Sequence, residues 1–136
     1  MFAFLDTPTD DTAYFFAYMG VASALVFANL GAAYGTAKSG VGIASLGVID
    51  SSKIFKALIP IIMAGILGIY GLIVSVLLNT KAGDKTNMET AGAGYKILGA
   101  GLSCGLSSLA SGLAIGVAGD AGVRAFAQSD GIFVGM

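Results

Sequence analysis

The sequence predicts an all-α membrane protein: a hairpin of transmembrane helices, three complete and a fourth just begun, arising from an internal duplication and assembling into a ring. Three observations predict it. The first is composition. Of 136 residues, 56% are hydrophobic and only 11% charged, with a mean hydropathy of +0.86. A soluble domain carries about 25% charged residues, and seven Lys/Arg with eight Asp/Glu cannot cover a globule of this size. The second is that three uncharged stretches are long enough to cross a bilayer, which takes about 20 helical residues. The third is that the chain repeats itself at an offset of 81 positions.

The first span is Ala13 to Ala37, preceded by the acidic MFAFLDTPTDD, which lacks the positive n-region of a signal peptide, so the first span is expected to be retained. KSGVGIASLGVIDSSK links it to the second span, Ala57 to Leu78, whose 22 residues rise about 33 Å. Pro60, near the start of that span, removes one backbone donor and predicts a kink. NTKAGDKTNMETAGAGYK links it to the third span, Ile97 to Gly119, and DAGVRAFAQSDG then leads into Ile132 to Met136, read as the start of a fourth span whose remainder lies outside the 136 residues. The halves of the duplication are residues 1–79 and 80–136.

The repeat is carried by small and aromatic residues. Tyr14 falls on Tyr95, Gly20 on Gly101, Gly31 on Gly112, Ala33 on Ala114 and Gly35 on Gly116. In span three, Gly101, Gly105, Ser108, Gly112 and Gly116 step by three or four and so share one helical face. Gly20, Ala24, Gly31 and Gly35 do the same in span one, with Phe27 as the one large exception. Lipid tails are as apolar as leucine, so helices in a bilayer associate by packing, and small residues four apart let backbones approach. Two matched faces on alternate helices suit an inner layer of close-packed helices repeated around an axis by several copies. Packing within one small bundle is the plainer alternative. Span two carries Gly65, Gly68 and Gly71 in IIMAGILGIYGLIVSVLL, and glycine weakens a helix by about 1 kcal/mol relative to alanine, so a close neighbour is expected there too.

The charges give an orientation. Lys38, Lys53, Lys56 and Arg124 lie on one side of a hairpin layout, and Lys81, Lys85 and Lys96 on the other with Asp6, Asp10, Asp11, Asp84 and Glu89. The positive-inside rule then places the first and third links in the cytoplasm and the amino terminus outside. Lys53 and Lys56 are placed to snorkel to the interface.

Several chemistries are excluded or unsupported. A net charge of −1 leaves no nucleic-acid footprint, the absence of histidine removes the commonest metal ligand and general base, and Cys104 alone makes neither an internal disulfide nor a zinc cluster. No metal or cofactor is expected. Cys104 reads as a small buried hydrophobe. Ser103, Ser107, Ser108 and Ser111 have no base to activate them and read as bonding within or between helices. Asn29 reads as an interhelical hydrogen-bonding residue, and Asp120 as a polar residue at a helix end.

LGAAYGTAKSGVGIA, IMAGILGIYGLIVSVLL and GLAIGVAGDAGVRA followed by FVGM resemble the proteolipid c subunit of V-type proton-pumping ATPases, from about Tyr14 to Met136. The resemblance implies a four-helix subunit whose copies, of one or several kinds, form a rotating ring, with spans one and three inside and two and four outside. It implies a single glutamate midway along the fourth span, loaded and unloaded through two half-channels of a static a subunit that an arginine keeps apart. It implies a central stalk, with its d subunit, seated on the ring's cytoplasmic loops, and ATP hydrolysis in the peripheral sector rather than in this chain. It implies a multi-pass protein of the vacuole, another acidified endomembrane or the plasma membrane. The nine small residues Gly20, Ala24, Gly31, Gly35, Gly101, Gly105, Ser108, Gly112 and Gly116 then read as ring packing, and Tyr70 as a supporting donor to the glutamate of a neighbouring fourth span. The three complete spans hold no Asp or Glu, so no proton carrier lies within residues 1–136. Gly65 falls at the place matching the glutamate. The competing readings are a glycine-rich membrane pore, and a structural or assembly subunit that carries no protons.

Overall fold

The computed structural model describes residues 11–88 and 90–136. They form helices almost throughout: α1 (Asp11–Ile49), a 3₁₀ turn (Ser51–Lys53), α2 (Ile54–Ala57), α3 (Ile59–Gly83), a 3₁₀ turn (Lys85–Asn87), α4 (Ala91–Gln128) and a 3₁₀ turn (Asp130–Val134). Three helical stretches, Asp11–Ile49, Ser51–Gly83 and Ala91–Gln128, are long and apolar enough to cross a membrane. This is the predicted fold class, and the chain is an integral, multi-pass membrane protein.

The helices outrun the spans read from the sequence. The 39 residues of α1 rise about 58 Å, well beyond a hydrocarbon core of about 30 Å. Lys38 to Ile49, expected as a link, is helical, as is Asp120 to Gln128. The link between α1 and the next helix shrinks to Asp50 and one 3₁₀ turn, in which the Asp50 carboxylate accepts bonds from the Ser52 amide at 3.0 Å and the Ser52 hydroxyl at 2.6 Å. Asp84 caps the second link in the same way, through Thr86. Ile132 to Met136, expected to open a further helix, lie in and just after the 3₁₀ turn Asp130–Val134. The α-helical run breaks at Leu58, one residue before α3, because Pro60 has no amide to donate back into the preceding turn.

The described residues fall into two compact units that cut across the halves 1–79 and 80–136: residues 11–28 with 69–107, and residues 29–68 with 108–136. The first is centred on Ala13, Ala17, Ala24, Leu78, Ala82, Met88 and Ile97. The second has Ile43, Leu46, Ala57, Val123 and Phe126. Within each unit the long helices meet along narrow stripes of alanine, glycine and serine, while most large apolar side chains of α3, among them Ile62, Met63, Ile69, Leu72, Ile73 and Val76, point outward. Outward leucine and isoleucine would be unfavourable in water and are what a lipid-facing helix requires.

Candidate functional site

The nine small residues named from the sequence are all buried, and they face one another across α1 and α4 inside the chain. In the first unit, Gly101 stands against the backbone of Gly20, and Gly105 against Ala24 and Ser23. Gly94 stands against Ala13 in the same relation. In the second unit, Gly112 stands against the backbone of Gly31, and a methyl on Gly116 would come within 3.1 Å of the Gly35 Cα. Each of these pairs, 13/94, 20/101, 24/105, 31/112 and 35/116, is separated by the same 81 positions. In both units, then, duplicated positions pair with their own copies, which requires parallel helices in unshifted register. Backbone meets backbone: a methyl on Gly31 would lie 2.6 Å from the Ser108 carbonyl oxygen, and one on Gly20 2.6 Å from that of Ile97. Such contacts do not yield to a side-chain rotation, so these positions require glycine for close approach.

The glycines of IIMAGILGIYGLIVSVLL divide by face. Gly71 packs against Ala28 and the Ala24 carbonyl, and Gly68 against Asn29 and Ala32, so both admit α1. Gly65 has nothing within 4 Å and lies on the exposed face of α3. Tyr70 is likewise 55% exposed and belongs to none of the buried stripes. Close approach therefore explains two of the three glycines. Asn29 places its Oδ1 2.9 Å from where a Gly68 methyl would sit, so its side chain reaches α3. Ser103 and Ser107 donate within their own helix, to the Ala100 and Cys104 carbonyls. Cys104 is half-buried rather than enclosed.

The polar chemistry that the sequence reading missed is clustered in the second unit. Asp120 is not at a helix end: α4 continues to Gln128. Its carboxylate accepts from Arg124 Nε at 2.8 Å and faces Lys38 Nζ at 3.6 Å, so one acid on α4 holds a base on its own helix and another on α1. The i,i+4 spacing of Asp120 and Arg124 was the available signal. Lys53 bridges Asp50 at 3.7 Å and Asp130 at 2.6 Å, with its ammonium 5.5 Å from the Phe126 ring centre. The Ser52 hydroxyl and amide hold the Asp50 carboxyl below the usual carboxylate range, assisted by Lys53. The Thr86 hydroxyl and amide do the same for Asp84. Among the described residues no group of His, Cys, Asp and Glu is arranged to hold a metal.

Against known proteins, the profile of the ATP synthase C-subunit family matches residues 19–78 and again 98–136, the second match being about two thirds as long as the first. Among curated proteins, the 16 kDa proteolipid c subunit of the V-type proton ATPase of Ascaris suum is 56% identical over 122 residues, covering 90% of this chain and 76% of that protein. The second 16 kDa proteolipid c subunit of the V-type proton ATPase of Caenorhabditis elegans is 55% identical over the same shares. The human 16 kDa proteolipid c subunit is 54% identical, covering 90% of this chain and 77% of its own length. A double family match, an in-register duplication seen in the packing and relatives above half identity agree, and this chain belongs to the ATP synthase C-subunit family, among the V-type proteolipids.

Proposed function

We propose that this chain is a c-type proteolipid of a V-type ATPase rotor, one of several copies in a ring that passes protons across the membrane while ATP is hydrolysed in the peripheral sector. The observation that carries the reading is the identity of 54–56% to V-type proteolipids over 90% of the chain. The chain itself hydrolyses nothing. The seam between α1 and α4 supports a mechanical part: backbone contacts in each unit leave no slack for the helices to slide, and a ring element under torque needs that stiffness. The nine seam residues serve ring packing through this stiffness, and the exposed apolar faces supply the contacts between copies and with lipid.

Proton carriage needs a carboxylate that can be neutral while it crosses lipid, since a charge at the bilayer centre costs about 3 kcal/mol or more. The duplicate of α3 supplies it in this reading, at the place matching Gly65, with Tyr70 of a neighbouring copy as a hydrogen-bond donor. The exposure of Gly65 and Tyr70 on the face of α3 turned away from α1 supports this, because a carrier must meet a static a subunit at the ring's outer surface. The helix ends carrying Lys38, Lys53, Lys56 and Arg124 face the cytoplasm and the central stalk with its d subunit, in the membrane of a vacuole, another acidified endomembrane or the plasma membrane. The test is replacement of the proteolipid of a cell that depends on it by the natural full-length protein. Restored ATP-driven acidification of isolated vesicles is expected. A ring that assembles with the peripheral sector and yet moves no protons would overturn the reading in favour of a structural role.

A further inference from the structure

In the unit made of residues 11–28 and 69–107, α3 and α4 border an open cleft of about 320 Å³ lined by Leu78, Lys81, Ala93, Lys96, Ile97 and Ala100. Two features set it apart. Among the described residues its only charged groups are two lysines, both exposed, and neither takes part in an ion pair with another described residue. Each lysine also marks the end of an apolar run: Lys81 is the first charge after the uncharged stretch Ala57 to Thr80, and Lys96 the last before Ile97 to Gly119. The cleft therefore lies where hydrocarbon gives way to headgroups, with cations at its polar edge and Leu78, Ile97 and Ala100 on the apolar side. Two ammonium groups sharing one cleft, with no acid among the described lining residues, repel each other, and a phosphodiester anion between them removes that repulsion.

We propose that this cleft binds the headgroup of an anionic phospholipid, its phosphate held between Lys81 and Lys96 and the first carbons of its acyl chain lying on Leu78, Ile97 and Ala100. The apolar half of the lining favours a lipid over a free anion, which has nothing to place there. The four-carbon stems of the lysines reach outward while their ammonium ends stay at the level of the phosphate. The site stands on the cleft and on the membrane-spanning helices, whatever the chain's part in proton transport.

The test uses the natural full-length protein, in the assembly in which it purifies, in nanodiscs of equal phosphatidylcholine and phosphatidylserine. Native mass spectrometry counts retained lipids and reports assembly in the same spectrum. Phosphatidylserine should be retained over phosphatidylcholine by about thirtyfold, the preference that two lysines near an anionic surface confer. The double variant Lys81→Gln/Lys96→Gln should lose that preference, Lys81→Arg/Lys96→Arg should keep it, and Lys85→Gln, which removes a neighbouring charge outside the cleft, should leave it unchanged. No preference in the unsubstituted protein would overturn the proposal. So would equal loss in the Lys85 variant, which would indicate net charge alone, or displacement of the lipid by millimolar inorganic phosphate, which would indicate a free-anion site.

Discussion

Gly31 and Gly112 occupy duplicated positions 81 residues apart, and the backbone of one fills the place where a side chain on the other would sit. The repeat that is visible in the sequence thus coincides with a contact in space, and the first expectations concern what that contact tolerates.

Alanine at Gly31 or Gly112 meets backbone, not a movable side chain. Overpacking of this kind costs about 1–3 kcal/mol and sometimes more. Gly31→Ala and Gly112→Ala are expected to lower the thermal midpoint of the detergent-purified protein, and leucine at either place to prevent recovery of folded material. Gly99→Ala is the control, because nothing lies within 4 Å of that position; it should be neutral or stabilising by up to about 1 kcal/mol. Equal loss in all three alanine variants would contradict the seam.

The three glycines of α3 should rank by neighbour. Gly71→Ala drives a methyl into Ala28 and is expected to be the most damaging. Gly68→Ala meets the Asn29 amide at 2.9 Å, a side chain able to move, and should cost less. Gly65→Ala has open space and should cost nothing in stability. Thermal denaturation of the three variants side by side gives the order directly, and a damaging Gly65→Ala would contradict the packing described for α3.

Asp120 holds Lys38 and Arg124 together, with its own side chain only 15% exposed. Asp120→Asn is expected to loosen α1 from the later part of α4, seen as faster amide hydrogen exchange around Lys38 and Arg124. Raised salt should produce a weaker version of the same effect in the unsubstituted protein and none in the variant, since screening acts on the ion pairs alone. Unchanged exchange in Asp120→Asn would mean that the apolar contacts suffice.

The two carboxylate-capped turns carry a pH dependence of known sign. Asp50 and Asp84 are held below the ordinary Asp value of about 3.9 by bonds from Ser52 and Thr86. A lowered folded pKa gives stability that is complete above the unfolded pKa and is lost as pH falls through the folded one. Both turns should stay closed through neutral and mildly acidic pH and open only below about pH 4. Carboxyl titration by NMR should place both midpoints below that of an unstructured Asp peptide, and midpoints at or above that value would contradict the capping.

The three spans were legible because uncharged runs of bilayer length leave few alternatives, and the small faces were legible because their spacing is helical. Their partner was not. A stripe of glycine states that something comes close without saying whether it is a second helix of the same chain or another copy. The equal separation of paired positions became meaningful only once α1 and α4 were seen side by side. The helix ends were missed for a different reason. Lys38 to Ile49 contains Lys38, three glycines and two serines, which read as a link. Packing overrides those propensities: Gly42 admits Asp120, Ser45 bonds back to the Gly42 carbonyl at 2.7 Å, and Ile43 and Leu46 join the apolar cluster with Val123 and Phe126. Gly65 was the subtler case, since its neighbours in sequence, Gly68 and Gly71, do serve close approach while it does not.

The proton-carrying claim is tested most directly by dicyclohexylcarbodiimide, which modifies buried protonated carboxyls, applied to the full natural protein in acidifying vesicles and followed by peptide mass mapping. The account predicts that pumping stops and that the label sits on a carboxyl outside residues 1–136. A label on any of the eight carboxyls of residues 1–136 that stops pumping, or pumping that continues with every carboxyl modified, would contradict it.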